Sequence, residues 1–183
     1  AGLVISFQDF SIVKGIFGSK WVGLENFEEF FNSLYFTRTL RNTVVLSALG
    51  LLFSFPAPII LALMLNEVQH LRFKRLVQTV SYMPHFISTA VIAGMLYLFL
   101  SPQSGVVNTI IRGLGGSPVN FMMEAGWFRP LFIITDVWQH AGWNTILYLA
   151  TLTAIDPEIY EAATIDGATK RQKILHIDLP SLV

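Results

Sequence analysis

A cluster of polar and aromatic residues lies in an apolar stretch, residues 130–155, whose one acidic residue is Asp136. The cluster consists of Asp136, Gln139, His140, Trp143 and Asn144. Asp136 and His140 are four residues apart, as are Gln139 and Trp143, so each pair shares one face of a helix. Amides bond hydroxyl groups and indole rings stack on sugar rings, so these residues could line the path of a sugar-like ligand. The alternative is polar packing between helices, which also turns such groups toward a neighbour.

Residues 156–180 carry signals for the ends of helices. Asp156 is a good N-cap, and Pro157 suits the first helical position, where its missing N–H would have had no partner. Gly167 can adopt the left-handed conformation that ends a helix. We therefore predict a helix that begins at Asp156 and runs to about Asp166.

A second, basic helix is predicted from Thr169 to about Ile177, with Pro180 as its stop. The two helices would form a short hairpin. Ala162 and Ala163 give the first helix a patch of small side chains, which lets the backbone of another protein approach closely. The hairpin is therefore predicted to be an interaction element.

Three stretches are long enough to cross a bilayer, which takes about 20 apolar residues. They are residues 43–65, 76–100 and 130–155. Hydrophobic residues make up 53% of the chain and charged residues 13%, against about 25% in soluble domains. The sequence thus predicts an all-α, polytopic membrane protein. Prolines within the first two stretches predict kinks, and His85 beside Pro84 is expected to be a packing histidine with satisfied polar atoms.

Composition excludes several kinds of function. The formal net charge is zero, which gives no support to nucleic-acid binding. The chain has no cysteine, so disulfides and cysteine metal sites are excluded, and we predict no metal site. We predict no catalytic residue and no cofactor bound by this chain, and the absence of the Gly-x-x-x-x-Gly-Lys-[Ser/Thr] motif of phosphate-binding loops agrees with this.

The polar segments between the stretches predict an orientation. Basic residues are dense in residues 66–75 and in the tail after residue 155, which predicts that both are cytoplasmic. Alternation then makes residues 9–42 and 101–129 external. Within the former, residues 25–31 are predicted to form an amphipathic helix at the membrane interface.

The spacing in residues 156–180 resembles the EAA loop of the permeases of binding-protein-dependent ABC importers. That pattern is Glu-Ala-Ala, three residues, Gly, nine residues and Ile-x-Leu-Pro. This sequence matches it at Glu161, Ala162, Ala163, Gly167, Ile177, Leu179 and Pro180. Residues 21–27 and the loop form at 160–168 are similar to the carbohydrate branch of these permeases. Residues 5–10 and 15–21 faintly resemble permeases for plant or algal oligosaccharides.

The resemblance implies a helical ABC importer transmembrane domain in a bacterial cell membrane, crossing it several times. Family members have about six spans, so the chain is expected to be a partial domain that lacks most of the first span and the last two. The implied partners are a second permease subunit, a pair of ATPase subunits that hold ATP and Mg²⁺, an extracytoplasmic solute-binding protein, a sugar and membrane lipid. The loop would couple the ATPase to transport through Glu161, Ala162, Ala163, Asp166, Gly167, Ile177, Leu179 and Pro180.

Two alternatives stay open at this point. The first is a permease for another cargo, such as glycerol phosphate or amino acids, although the predicted spans contain no basic cluster for a phosphate. The second is a secondary transporter or a membrane scaffold, for which an EAA loop has no use.

Overall fold

The computed structural model describes residues 2–182 and is helical almost throughout, which confirms the predicted all-α class. The chain divides into two compact units, with the boundary in sequence between Ala48 and Leu49. The elements of the first unit are α1 (Gly2–Ile5), β1 (Gln8–Asp9), α2 (Gly15–Gly18), β2 (Lys20–Trp21), α3 (Glu25–Asn32) and most of α4 (Leu34–Leu49).

The first unit is organised around a short antiparallel pair, β1 and β2. Phe7 stacks on Trp21 with ring centroids 5.7 Å apart. The side-chain amide of Asn26 donates hydrogen bonds to the carbonyls of Ser6 and Gln8, at 3.0 and 3.1 Å. These bonds hold the start of α3, which is the amphipathic helix that the sequence predicted.

The second unit is built around one long helix. Its elements are a first π-turn (Gly50–Ser54), α5 (Pro56–Glu67), α6 (Leu71–Tyr82), a 3₁₀ turn (Met83–Phe86), α7 (Thr89–Phe99), α8 (Val106–Gly113), α9 (Ala125–Thr153), α10 (Pro157–Ile165), α11 (Lys170–Lys173), a second π-turn (Ile174–Asp178) and α12 (Leu179–Ser181). α9 packs against α5, α6 and the turns beside them. Their shared core includes Ala62 and Leu65 of α5 and Leu152 of α9.

The first predicted span lies within one continuous helix, Leu34–Glu67. In the described part of the chain, this is the one helix whose length and apolar composition suit a membrane crossing. Many of its large side chains are exposed, including Leu51, Leu52 and Ile60. An apolar surface of this kind suits lipid or a partner helix.

The second predicted span, residues 76–100, is broken in the structure. Leu71–Phe86 and Thr89–Phe99 are bent by 101° to one another, and they suit a membrane crossing only when counted together as one span. Pro84 lies in the 3₁₀ turn, and the Ser88 side chain caps α7 by accepting the N–H of Val91. The kink predicted at Pro84 is therefore a sharp break with a new helix start.

The third predicted span corresponds to α9, which begins at Ala125 and ends at Thr153. It is 29 residues long, but its polar residues lower its mean hydropathy and leave it outside the helices that suit a crossing by composition. Gly142 lies directly against α6, because a Cβ at this position would collide with the backbone carbonyl of Ser81. Only glycine permits this approach of the two helices.

Candidate functional site

Asp136 is the centre of a polar cluster on α9. Ser54, the last residue of the first π-turn, donates a hydrogen bond from Oγ to Oδ2 of Asp136 at 2.6 Å. Nδ1 of His140 lies 3.1 Å from Oδ1 of the same carboxylate. The predicted pair is thus in contact, and the hydroxyl of Ser54 completes it.

Gln139 lies on the same helix but faces inward. It is 9% exposed, and its side-chain amide donates to the carbonyl of Ile87 at 2.9 Å. Ile87 lies at the break before α7, where the backbone leaves regular helical structure. This geometry favours the packing interpretation for Gln139, since its amide satisfies a carbonyl at the break.

Trp143 forms an aromatic stack with His85. Their rings are parallel within 2° and have centroids 4.6 Å apart, and Phe86 meets the indole edge-on. His85 is a packing residue, as predicted, but Nδ1 of its ring is buried and has no hydrogen-bond partner within residues 2–182. The prediction that its polar atoms are satisfied is therefore wrong.

The predicted ligand-binding face is divided between two clefts. Asp136, Gln139 and His140 line a cleft of about 480 Å³ whose other walls are largely apolar. Trp143 and Asn144 line a second cleft of about 460 Å³, together with Ser54, Phe55 and Pro58. The five residues therefore do not converge on one space.

Thr145 is a buried polar residue of α9 that sequence reasoning missed. Its hydroxyl lies 2.7 Å from the carbonyl of Ala141 and 3.2 Å from that of Pro58, and it links α9 to α5. A threonine at helical spacing from Ala141 gives a weak signal, because such hydroxyls often bond to the carbonyl one turn earlier.

The first helix of the hairpin, α10, begins and ends as its sequence predicts. The Asp156 side chain accepts the N–H of Glu158 at 3.0 Å, and Pro157 occupies the first helical position. Gly167 has φ of +75°, which is the left-handed conformation. The helix end is a Schellman motif, since Gly167 N–H bonds to the Thr164 carbonyl and the next N–H to that of Ala163.

The second helix of the hairpin runs further than predicted. A capping box between Thr169 and Gln172 starts it at the predicted position. Pro180 does not stop it, because helical structure continues through Ser181. The second π-turn explains the difference. The Leu179 N–H donates a hydrogen bond to the Ile174 carbonyl, five residues earlier, and this wider turn accommodates the proline that follows.

Two side-chain hydrogen bonds join the arms of the hairpin. The Tyr160 hydroxyl donates to Oδ1 of Asp178, and Nζ of Lys173 donates to Oγ1 of Thr164 at 2.7 Å. Burial, the hydrogen bond to Asp178 and the negative charges of Asp178 and Glu67 raise the pKa of Tyr160 far above its ordinary value of 10.0. The phenol therefore keeps its proton at neutral pH and remains a donor.

A third polar contact joins the hairpin to α5. Nζ of Lys170 lies 2.9 Å from Oε2 of Glu67, the last residue of α5. Both side chains are largely exposed, so the pair contributes about 0–1 kcal/mol. Its value here is geometric, because it means that the end of α5 and the hairpin lie side by side.

Most of the residues that were predicted to couple to an ATPase are exposed on the surface of the hairpin. Glu161, Ala162, Asp166 and Gly167 are exposed, while Ala163 is half-buried. Ile165, for which the sequence analysis predicted no role, is 87% exposed and adds a large apolar side chain to this surface. Of the remaining loop residues, Leu179 and Pro180 are exposed and Ile177 is half-buried.

Residues 54–183 match the family model of the binding-protein-dependent transport system inner membrane component. The chain belongs to this family. The match includes the whole hairpin, so the permease resemblance of the EAA pattern is confirmed. It also includes α5 to α9, so this permease domain is a helical membrane domain.

The relatives of this chain include proteins named for the transport or import of polysaccharides. It is 46% identical over 181 residues to the polygalacturonan/rhamnogalacturonan transport system permease protein YteP of Bacillus subtilis (strain 168), covering 99% of this chain and 56% of that protein. A crystal structure of a bacterial ABC transporter involved in the import of the acidic polysaccharide alginate matches with a TM-score of 0.91 and 42% identity, over 99% of this chain and 60% of that one.

A second solved structure is of the bacterial alginate ABC transporter in complex with an alginate pentasaccharide-bound periplasmic protein. It matches with a TM-score of 0.85 and 46% identity, over 87% of this chain and 56% of that chain. This permease chain therefore spans somewhat more than half the length of the relatives it matches. Their names say nothing of the individual roles of Glu161, Asp136 or Trp143, which stay predictions.

Proposed function

We propose that this chain forms part of the membrane-spanning subunit of an ATP-driven oligosaccharide importer, and that its hairpin couples an ATPase to transport. The observation that carries the proposal is the geometry of α10. A capped helix with exposed Glu161, Ala162 and Ile165 ends in a left-handed glycine, and a second, basic helix follows it. A rigid, exposed helix of this kind can transmit the movement of a bound ATPase subunit to the membrane domain.

The partners and chemistry follow from this role. A pair of ATPase subunits would hold ATP and Mg²⁺ and hydrolyse the nucleotide, and this chain would bind no cofactor. A second permease subunit would complete the path, and an extracytoplasmic solute-binding protein would deliver the cargo. The domain would cross the bacterial cell membrane several times, through residues 43–65, 76–100 and 130–155.

The cargo is proposed to be an oligosaccharide from an acidic polysaccharide. This is supported by the similarity to permeases named for polygalacturonan and for alginate. Binding of uronate oligosaccharides and of neutral oligosaccharides to the partner solute-binding protein tests it. Tight binding of uronate chains is expected, and binding of neutral sugars alone would contradict this cargo.

The orientation is also supported by one contact. Glu67 and Lys170 touch, so the end of α5 and the hairpin lie on the same side of the proposed membrane, as base density predicted. In the full-length subunit, cysteines at Gln69 and Ser117 should be labelled from opposite sides of the cell membrane. Labelling of both from outside would contradict this topology.

The substrate path is proposed to run beside Trp143 and Asn144, because the amide of Gln139 is already occupied by a backbone carbonyl. Trp143→Ala should change the apparent affinity for the oligosaccharide in uptake assays, with the subunit still assembled. Unchanged uptake of every oligosaccharide would mean that the His85–Trp143 stack serves packing alone.

Coupling is tested with Gly167→Val in the full-length subunit. Valine in a left-handed conformation costs about 1–2 kcal/mol, so the second helix of the hairpin should be re-aimed. Gly113→Val is the matched control, since that glycine has ordinary φ and open space for a side chain. Ala163→Trp, at the half-buried small residue, is the second test variant.

The measurements are co-purification of the ATPase subunits, and sugar uptake with ATP hydrolysis in proteoliposomes. We expect both hairpin variants to insert but to lose ATPase association or to hydrolyse ATP without uptake. Wild-type values for both variants would mean that the hairpin is not the coupling element.

A further inference from the structure

Asp178 is a buried carboxylate in the hairpin, with 2% of its surface exposed. A carboxylate removed from water needs hydrogen bonds or an opposite charge. The Tyr160 hydroxyl supplies one such bond from a position 18 residues earlier in the chain. The bond therefore joins the middle of α10 to the end of the second π-turn.

The other ties of the hairpin are weaker by their setting. Lys173 to Thr164 and Lys170 to Glu67 are exposed contacts, which water screens and long side chains loosen. The Tyr160–Asp178 bond is part-buried and involves a charged acceptor, a combination that makes hydrogen bonds roughly twice as strong. Of these contacts, the Tyr160–Asp178 hydrogen bond is therefore the one best able to keep the two helices of the hairpin together when α10 moves.

The position of this bond matters as much as its strength. Tyr160 directly precedes Glu161, at the proposed docking surface. Asp178 directly precedes Leu179 and Pro180, where the proline lacks an N–H and the helical ladder is therefore weakest. A movement of α10 transmitted only through the Gly167 turn would reach this weak point through the capping box at Thr169 and then the second π-turn.

We infer that Tyr160 is a positioning residue for coupling: its hydrogen bond to Asp178 makes the hairpin one rigid body and delivers motion of α10 directly to the Asp178–Pro180 segment. This inference rests on the coupling function proposed for the hairpin. Tyr160 itself is only partly exposed and need not touch the ATPase.

The test variant is Tyr160→Phe in the full-length subunit, which removes one oxygen and keeps the ring. Tyr97→Phe is the matched control, because it makes the same change at a tyrosine of α7 that is 66% exposed. In Tyr160→Phe, we expect the ATPase subunits to co-purify normally and ATP hydrolysis to continue. Sugar uptake per ATP hydrolysed should fall by roughly tenfold, as expected for loss of a hydrogen bond to a buried charge.

A cross-link provides the rescue. Residues 1–183 contain no cysteine, so Thr164→Cys and Lys173→Cys can be added to the Tyr160→Phe variant, with any cysteine elsewhere in the full-length subunit replaced by serine, and joined by a short bifunctional thiol reagent. These two side chains already touch across the hairpin, 2.7 Å apart. A covalent tie between the arms should restore most of the uptake per ATP, which it would not do for a subunit that is simply misfolded.

The outcomes separate the two levels of the proposal. Normal coupling in Tyr160→Phe, with coupling lost in Gly167→Val, would overturn the role of Tyr160 and leave the hairpin as the coupling element. Normal coupling in both variants would overturn both. Loss of ATPase association in Tyr160→Phe, or no rescue by the cross-link, would also overturn the positioning role.

Discussion

The two π-turns of this chain share one backbone design but differ in burial. In each, the N–H of the residue after the turn, Phe55 or Leu179, bonds to the carbonyl five residues earlier. The residue that follows is a proline, Pro56 in the first case and Pro180 in the second. Each turn also ends in a polar residue, Ser54 or Asp178, that forms a hydrogen bond to another helix.

The difference lies at the carboxylate of each hydrogen bond. Asp136 keeps 35% of its side-chain surface exposed and has His140 as a second partner. Asp178 is 2% exposed and depends on Tyr160. Water can replace the Ser54 hydroxyl at the partly exposed Asp136 more easily than it can replace the Tyr160 hydroxyl at the buried Asp178. The Ser54–Asp136 hydrogen bond, here called the soft link, is therefore weaker than the Tyr160–Asp178 hydrogen bond, here called the firm link.

The largest expected effect comes from removing the Tyr160 hydroxyl while the negative charge of Asp178 stays buried. Tyr160→Phe leaves the Asp178 carboxylate buried without that donor, and it should cost about 1–3 kcal/mol of the free energy of unfolding of the hairpin. Adding Asp178→Leu removes the buried charge and should recover most of this stability. Hydrogen exchange of residues 157–181 measures both, and equal protection in the single and double variants would contradict the assigned burial.

The next effect concerns the proline. Pro180→Ala restores an N–H, so the second π-turn can relax toward an α-helix and turn the Asp178 side chain by about 100° away from Tyr160. We expect faster hydrogen exchange in α10 and reduced uptake per ATP, but less loss than in Tyr160→Phe. Unchanged exchange in α10 would indicate that the wide turn is maintained by packing and not by the proline.

A smaller effect is expected at the soft link. Ser54→Ala removes one hydrogen bond to a half-exposed carboxylate that retains His140, so the expected loss is about 1 kcal/mol or less. Thermal unfolding of the purified transporter measures it. A loss as large as that of Tyr160→Phe would mean that the two links are equivalent, against their difference in exposure.

The smallest effect is expected at the exposed pair that joins the hairpin to α5. Glu67→Gln should change stability by less than about 1 kcal/mol and leave uptake per ATP unaltered. The same assays at low and high salt measure it. A strong, salt-dependent loss of coupling would show that the Glu67–Lys170 pair, and not the Tyr160–Asp178 hydrogen bond, transmits the movement of the hairpin.

Sequence reasoning succeeded where the chemistry is local. Asp156, Pro157 and Gly167 act within one turn of their own positions, so the limits of α10 could be predicted closely. The all-α class followed from long apolar stretches. The pairing of Asp136 with His140 followed from helical spacing alone.

What could not be predicted depends on contacts distant in sequence or on small changes of winding. Ser54 is 82 residues from Asp136, and nothing in the local pattern of either residue points to the other. The π-turns add one residue to a helical turn without changing its apolar character. For that reason Pro180 was predicted to end a helix that in fact continues to Ser181.

The close approach at Gly142 gives α9 a pivot. With no side chain between Gly142 and the Ser81 carbonyl, the backbones of α9 and α6 are in direct contact there, which makes Gly142 the natural centre for a tilt of α9. From Gly142 to the end of α9 at Thr153 the axis is roughly 16 Å long, from a rise of about 1.5 Å per residue. A tilt of about 10° would then move the end of α9, where the hairpin is attached, by about 3 Å, and would move its start at Ala125, which lies further from Gly142, by more in the opposite direction.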